Sequence, residues 1–383
     1  MTGALSGIRI IEIAGLGPGP FAGMMLADHG AEVICVERPG GNPLQPASGR
    51  PADILSRSRR SIALDLKSPQ AAGVIKALVK EADGLIEGFR PGVMERLNLG
   101  PDDLLAVNPA LAYGRMTGWG QTGPWAQRVG HDINYIALSG VLHGIGEKGG
   151  RPIAPQNLLG DFGGGGMMLA FGLLAAILSA RTTGRGQVVD CAMTDGSALL
   201  SAITWGFRAQ GLWRDERGVN LLDGGTHFYD TYRTRCGGHV AVGAIEPAFY
   251  AALRRVAGLA DDPAFDAQMS PADWPALKAR LQEVFLTRTR DEWAEAFEAD
   301  AACLTPVLSM PEARDHPHNA ARQTFVTLDG ITQPAPAPRL SQTPPGPPRA
   351  PRPLGADTDA ILAEAGFDAE AIAALRQDGV VHG

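Results

Sequence analysis

The sequence predicts an α/β protein, with a parallel sheet in its N-terminal half, a smaller α+β domain after about residue 225, and a C-terminal arm returning to the first domain. Three observations carry this expectation. Up to about residue 200, short apolar runs alternate with helical patterns, the signature of βαβ units. Near residue 225 the texture changes to paired strand-like runs followed by amphipathic helices. Between Gln333 and Pro353 stand nine prolines, too many for a helix or a central strand, so that stretch is expected to run extended over a surface.

Five strands are expected, at residues 8–14, 31–37, 61–66, 83–88 and 111–118. After the third, Ser68-Pro69 reads as the N-cap and first residue of a helix whose Val74, Leu78 and Val79 share one face. Pro91 starts another after Phe89-Arg90. These turns follow the carboxyl ends of strands, where ligands of open α/β sheets sit. Residues 162–180 carry no charge and reach the lower length of a bilayer span, but five are glycine, four of them consecutive at Gly163–Gly166. A buried core helix is expected there, and no membrane partner. In the central region, residues 227–234 and 239–246 flank a Cys236-Gly237-Gly238 turn. Leu277, Leu281, Val284 and Phe285 share a face of one following helix, Trp293 and Phe297 a face of the next. A last helix is expected over 357–376. The domain limits are then 1–200 for the large domain, 201–224 for a linker, 225–330 for the small domain and 331–383 for the arm and helix that complete the large one.

Composition bounds the function. A net charge of −7 argues against a general nucleic-acid binder, which needs a basic field, and means that an anionic ligand requires locally placed arginines. Cys35, Cys191, Cys236 and Cys303 are scattered and form no CxxC pair, so neither a disulfide framework nor a zinc site is indicated. With no secretory block at the start and no SKL-type address at the end, the cytoplasm is the expected location.

The first loop, Gly15-Leu16-Gly17-Pro18-Gly19-Pro20, imitates a dinucleotide fingerprint with Glu37 some twenty residues on. Its third glycine is Pro20, and two prolines withhold N–H groups that a pyrophosphate would use, so no nicotinamide or flavin cofactor is expected. Glu312, Asp315, His316 and His318 lack metal-ligand spacing and read as an exposed turn, so no metal is expected. There is no GxSxG nucleophile elbow.

The segment GHDINY (130–135) is more informative. Asp132 reads as an N-cap and Ile136, Gly140 and Val141 continue a helical pattern, which puts His131 at a helix start. A helix start disfavours an imidazolium, leaving the ring available as a base, and its free N–H groups face any developing oxyanion. Asp161 stands at the start of the longest apolar helix, ahead of four glycines that would let a bulky ligand approach. Glu246, after the strand HVAVGAI, is a candidate to orient His131.

Read in order, GPGPFAGMMLADHGAEVICVERP, SIALDLKS, EGFRPGVMERLNLG, RMTGWGQTGP, GHDINY, GDFGGG and the closing PAPRLSQTPP with the last helix make a specific set. Over nearly the whole chain it resembles the alpha-methylacyl-CoA racemases, within the broader family III CoA-transferases. The resemblance implies a large Rossmann-like domain made from both chain ends, a smaller central domain and an interlocked homodimer. It implies an acyl-CoA substrate and no cofactor, coenzyme A being part of the substrate. By motif, His131 and Asp161 match the two proton-transfer residues and Glu246 the acidic neighbour of the histidine, while the N–H of Asp132 is expected to meet the enolate oxygen. CoA contacts are expected at Arg38, Leu64, Asp65, Leu66, Lys67, Gly88, Phe89, Arg90, Arg96, Gly130, Asn134 and Tyr135, with Arg38, Lys67, Arg90 and Arg96 meeting the phosphates.

Two rival functions remain on the sequence. In the related CoA-transferases the aspartate at the Asp161 position attacks the thioester and forms an acyl anhydride. Those relatives do not generally carry the GHDINY histidine, which favours racemisation here. The third reading is a protein that binds acyl-CoA without turning it over.

Overall fold

The computed structural model describes residues 3–41, 52–298, 300 and 302–383. The chain forms two compact units, one from residues 1–139, 156–200 and 320–383, the other from 140–155 and 201–319.

The first unit is a doubly wound sheet. All five expected strands form: β1 (Arg9–Ile13), β2 (Glu32–Glu37), β3 (Arg60–Leu64), β4 (Gly84–Glu87) and β5 (Ala112–Thr117). A sixth, β6 (Gln187–Ala192), pairs in parallel with β5. It was missed because its residues from Gln187 to Asp190 are largely exposed and make no apolar run. The order β3-β2-β1-β4-β5-β6 reverses direction of growth between β1 and β4, as in dinucleotide-binding folds, with Val381–His382 added antiparallel to β3. Alternation sends successive residues to opposite faces. Ile11, Ile34 and Leu85 meet Val74, Ile75 and Leu78 of the helix over Ala71–Val79 and the C-terminal helices; Ile10, Val33 and Ile86 meet the helices of the other face.

The helices depart from expectation at their ends. Pro18 opens α1 (Pro18–Asp28). Ser68-Pro69 does not begin α2 (Ala71–Val79); Asp65 accepts the Lys67 and Ser68 N–H groups, and this turn delays the entry to residue 71. After Pro91, left-handed Gly92 (φ 84°) defers α3 to Val93–Arg96. It is followed by α4 (Pro101–Val107) and by α5 (Asp132–Leu138). Leu158–Met167 winds as a π-helix that continues as α6 (Met168–Thr183), and α7 (Met193–Leu200) follows β6. The expected core helix is buried on one side only: Leu169, Leu173, Ala176 and Ile177 face the sheet, whereas Phe171 and Leu178 are 73% and 67% exposed. The single last helix is two, Thr358–Glu364 and Ala369–Gln377, parted at Gly366 (φ 92°) and restarted by the Asp368 carboxylate, which accepts the Ala371 N–H.

The proline-rich arm forms no helix after the strand Ile331–Pro334, and it is held by a buried charge. Arg57 pairs with Asp28 at 2.5 Å and donates from Nη1 to Gln333 Oε1 (2.8 Å) and to the Pro334 carbonyl (2.7 Å). Ser58 and Arg349 exchange backbone and side-chain hydrogen bonds further along. Residues 325–328 and 331–334 form a hairpin within the first unit, so the expected domain limit at residue 330 falls inside it.

The second unit has an antiparallel sheet of Tyr229–Arg233, His239–Gly243 and Leu304–Pro306, joined by the helices Trp274–Phe285 and Arg290–Glu298. Leu277, Leu281, Phe285, Trp293 and Phe297 are buried as their spacing implied, with Val284 partly so. Residues 201–224 are no linker: a helix spans Ala202–Ala209, and buried Asn220 bonds the Arg214 and Glu216 carbonyls and Asp223. Glu312 is held by Arg290 and Asp315 by Arg314, so these carboxylates serve ion pairs on the surface turn.

His227 is fully buried in this unit. Its Nε2 meets the Tyr250 hydroxyl at 2.7 Å, which itself donates to the Phe265 carbonyl (3.0 Å), so the ring proton sits on Nε2 and Nδ1 is left without a partner. Burial pushes its pKa down to about 4. The unfolded chain takes up this proton near the ordinary value of about 6.5, the folded one only near 4, so unfolding binds a proton between these values. Stability from this group is therefore complete above pH 6.5 and is lost as pH falls towards 4, by an amount on the order of 3 kcal/mol. Thermal unfolding followed from pH 7.5 to 4 should show this slope for the wild type and a flatter one for His227→Gln.

Candidate functional site

Three strand ends make the site. After β1 the chain turns through Gly15–Gly17 into α1; after β4 it passes Gly88-Phe89-Arg90; after β5 it reaches Gly118-Trp119. Together with His131 and Asp161 they enclose a cavity of about 500 Å³, at the point where the strand order reverses. A second cavity, of about 430 Å³, lies between Arg38, Leu66 and Arg59 and shares the Gly15–Pro20 loop and Phe89 with the first.

His131 is itself the N-cap of α5, where Asp132 had been expected. Its N–H donates to Asn134 Oδ1 (3.0 Å) and its carbonyl accepts the Asn134 N–H (2.8 Å), so the backbone does the capping and the exposed ring is left to the cavity. With seven residues, α5 offers little macrodipole; what it offers is the N–H groups of Asp132 and Ile133, which have no intrahelical acceptor. Asp132 occupies the first helical position and is 6% exposed. Its Oδ2 accepts the backbone N–H of Asp161 at 2.7 Å, while Oδ1 is buried without a partner.

Asp161 lies in the first turn of the π-helix, with its carboxylate taking a 3.1 Å hydrogen bond from the Asn157 side chain. Burial pushes its pKa up; the Asn157 amide pulls it down, the Asp132 charge adds to the rise and His131 opposes it, leaving it above the usual carboxylate range. Gly17 lies directly beneath: a Cβ there would stand 3.0 Å from Asp161 Oδ2, and φ is +65°.

The glycine run after Asp161 has a different role from the expected one. Added Cβ atoms would meet Ser197 N of α7 at 2.6 Å from Gly164, Met193 Cγ at 3.0 Å from Gly165, and Pro18 O and Phe21 of α1 at 2.7 Å from Gly166. These glycines admit neighbouring helices, not a ligand, and thereby set the Asp161 turn against α1 and α7.

Of the other expected residues, Gly88, Phe89, Arg90, Gly130 and Tyr135 line the first cavity and Arg38, Leu66 and Phe89 the second. Tyr135 is buried, donates its hydroxyl to the Gly130 carbonyl and stands edge-on to Trp119 (4.8 Å). Leu64 is a correction: it is fully buried in the core on β3, so it can offer no side-chain contact. Asp65 shapes the turn after β3, Asn134 completes the cap of α5, and the exposed Lys67 and Arg96 line neither cavity. Glu246 belongs to the second unit, exposed, as the N-cap of the helix Pro247–Val256. Glu37 accepts from the Ser61 hydroxyl. Sequence reasoning missed Asn157, whose signal was its place four residues before Asp161, and Trp119 and Arg128 of the first cavity.

Because a Cβ on Gly164 would stand 2.6 Å from the Ser197 backbone N, whereas one on Gly163 would stand 3.1 Å from the Leu200 methyl and 3.2 Å from the Leu158 carbonyl, the two should differ when changed. Gly164→Ala should destabilise the protein by about 1–3 kcal/mol through overpacking, and Gly163→Ala by clearly less. Chemical denaturation of both variants measures this.

Residues 5–358 match the model of the family described as CoA-transferase family III. The chain is 48% identical over 381 residues to alpha-methylacyl-CoA racemase of Mus musculus, covering 98% of this chain and 97% of the relative. It is 46% identical over 380 residues to the Homo sapiens protein of the same name, covering 99% and 97%. It is 30% identical over 397 residues to succinyl-CoA:glutarate CoA-transferase of Homo sapiens, covering 98% and 90%. A solved CAIB/BAIF family protein from Brucella suis superimposes with a TM-score of 0.82 at 25% identity, covering 95% of this chain and 100% of that one.

Proposed function

The chain belongs to CoA-transferase family III, and from that membership, its racemase relatives and the geometry of the first cavity we infer that it racemises 2-methylacyl-CoA thioesters. The observation that carries the reading is that His131 and Asp161, held by separate elements, line one cavity. Inversion at the α-carbon needs a base on one face of a planar enolate and an acid on the other. In one direction His131 takes the α-proton and Asp161 returns a proton to the opposite face; in the other the roles exchange. Negative charge gathers on the thioester oxygen, for which the first-turn N–H of Asp132 is the proposed donor. The raised pKa of Asp161 supports its use as the acid, because it keeps its proton to higher pH than an exposed carboxyl. Turnover in the direction that needs protonated Asp161 should therefore fall as pH rises through that raised value.

The remaining parts of the reading extend it. The CoA phosphates meet Arg38 and Arg90. The reaction uses no cofactor beyond the coenzyme A of its substrate, and the four cysteines, none of them in a disulfide, suit the cytoplasm. Two copies interlock as a homodimer; the exposed Phe171 and Leu178 on the outer face of α6 supply apolar surface for it. Phe171→Glu should shift the protein towards monomer in sedimentation velocity, and an unchanged dimer would remove α6 from the interface.

CoA transfer through Asp161 as nucleophile is the second reading, favoured by the family model and by the human CoA-transferase relative. Incubating one enantiomer of a 2-methylacyl-CoA in D₂O with no acyl acceptor separates the readings. Racemisation exchanges the α-hydrogen and scrambles the centre; a transferase or a passive acyl-CoA binder does neither. His131→Ala and Asp161→Asn should each lower turnover by about 10²–10⁴-fold while CoA still binds. Arg90→Ala should chiefly raise KM, because a phosphate contact is felt alike in ground and transition states.

A further inference from the structure

We propose that His29 is a protonation-dependent fastening for the C-terminal arm: with both ring nitrogens protonated it clasps the Pro338 carbonyl to the end of α1, and loss of one proton loosens that hold. The inference is independent of the reaction performed in the cavity.

His29 follows the last residue of α1 and is buried. Its Nδ1 stands 2.9 Å from the Met25 carbonyl, one turn back on the same helix, and its Nε2 stands 2.9 Å from the Pro338 carbonyl, 309 residues further along the chain. A carbonyl oxygen only accepts, so both contacts are hydrogen bonds only if both ring nitrogens donate, and the imidazolium alone has two N–H groups. Either neutral tautomer would set a bare nitrogen lone pair against an oxygen at that distance, and the ring would have to leave one of the two carbonyls. Met25 belongs to the helix that carries the ring, whereas Pro338 belongs to a separate segment that can shift away. The contact with the arm is therefore the one that gives way. The Pro338 carbonyl has no other donor among the described residues, so it is then left unmatched.

The charged groups around the ring do not decide its state. Asp28 stands beside it on α1 and pairs with Arg57, so that the two charges offset one another; Arg59 lies beyond, paired with Glu12. The N-terminal segment packed on His29, whose Leu5 N–H donates to the His29 carbonyl, carries no charged side chain from Gly3 to Ile8. On the arm, Arg339 gives its guanidinium to the Arg322 and Gln323 carbonyls. Two cations thus hold one stretch of the arm in different ways. Arg57 holds Gln333 and Pro334 at any pH, and His29 holds Pro338 only while doubly protonated, histidine being the side chain that ordinarily changes charge between about pH 5 and 8.

Hydrogen exchange of the full chain, read by mass spectrometry and corrected for the intrinsic effect of pH, tests this. The Ala335 N–H, bonded to the Thr324 carbonyl, is among the reporting amides. In the wild type, peptides spanning residues 325–341 should exchange about tenfold faster at about pH 8.5 than at about pH 5.5. His29→Leu, with no ring proton to give, should exchange fast at both values. His29→Gln keeps one donating amide at every pH and should show no difference between them. Equal corrected exchange in the wild type at the two values, or the same pH dependence in His29→Leu, overturns the proposal. So does a change spread evenly over both units, which global opening would explain. If His29→Leu does not fold, His29→Gln decides in the same way.

Discussion

The hydrogen bond from the Asp161 N–H to Asp132 Oδ2, 2.7 Å long and partly buried, is the contact on which the site depends. One end belongs to the helix capped by His131, the other to the π-helical turn that carries Asp161. Losing it would leave the Asp161 N–H unmatched and would loosen the tie between two elements that line one cavity. The approach is close enough that Gly160 cannot carry a side chain: a Cβ would lie 2.6 Å from Asp132 Oδ2. The same carboxylate brings its charge near Asp161 and adds to the rise in proton affinity that burial causes there.

This contact is useful only because the sheet brings the rest to the same place. Growth of the sheet in opposite directions from β1 and β4 opens a crevice at their carboxyl ends. The Gly15–Pro20 loop fills part of it, and Gly17 in its left-handed conformation lets the Asp161 carboxylate rest on bare backbone. The glycines after Asp161 then let α1 and α7 close on that turn. The loop that imitates a dinucleotide fingerprint therefore serves as a wall between two cavities and as the floor under an acid.

Much of this was legible in the sequence where a pattern is local. The five inner strands and the amphipathic helices of the second unit follow from periodicity, and His131 and Asp161 from their motifs. What escaped has physical reasons. β6 is an edge strand with exposed residues, and Val381–His382 is too short to show any period. The end of α2 shifted because a side-chain turn at Asp65 competed with the expected cap, and Leu64 was taken for a ligand contact although its place on β3 turns it into the core. The role of Gly163–Gly166 was misread because a run of glycines states only that something comes close; which neighbour it is depends on the tertiary structure. The link between Asp132 and Asp161 joins residues 29 apart, and no spacing rule could find it.

The chemistry of the family divides on the state of one carboxyl group. As a nucleophile, the aspartate must attack as an anion and gains from a polar, well-donated setting; as a proton donor it must keep its proton near neutrality, which burial and a nearby negative charge promote. Asp161 has a single side-chain donor in Asn157, is half-buried, and has the carboxylate of Asp132 within electrostatic reach. That balance raises the proton affinity of Asp161 above that of an exposed carboxyl. The Asn134 cap leaves the His131 ring unclaimed by its own helix. On the proposed reading, a scaffold shared with acyl-transferring relatives is turned to proton transfer by the neighbours of one aspartate and the placing of one histidine.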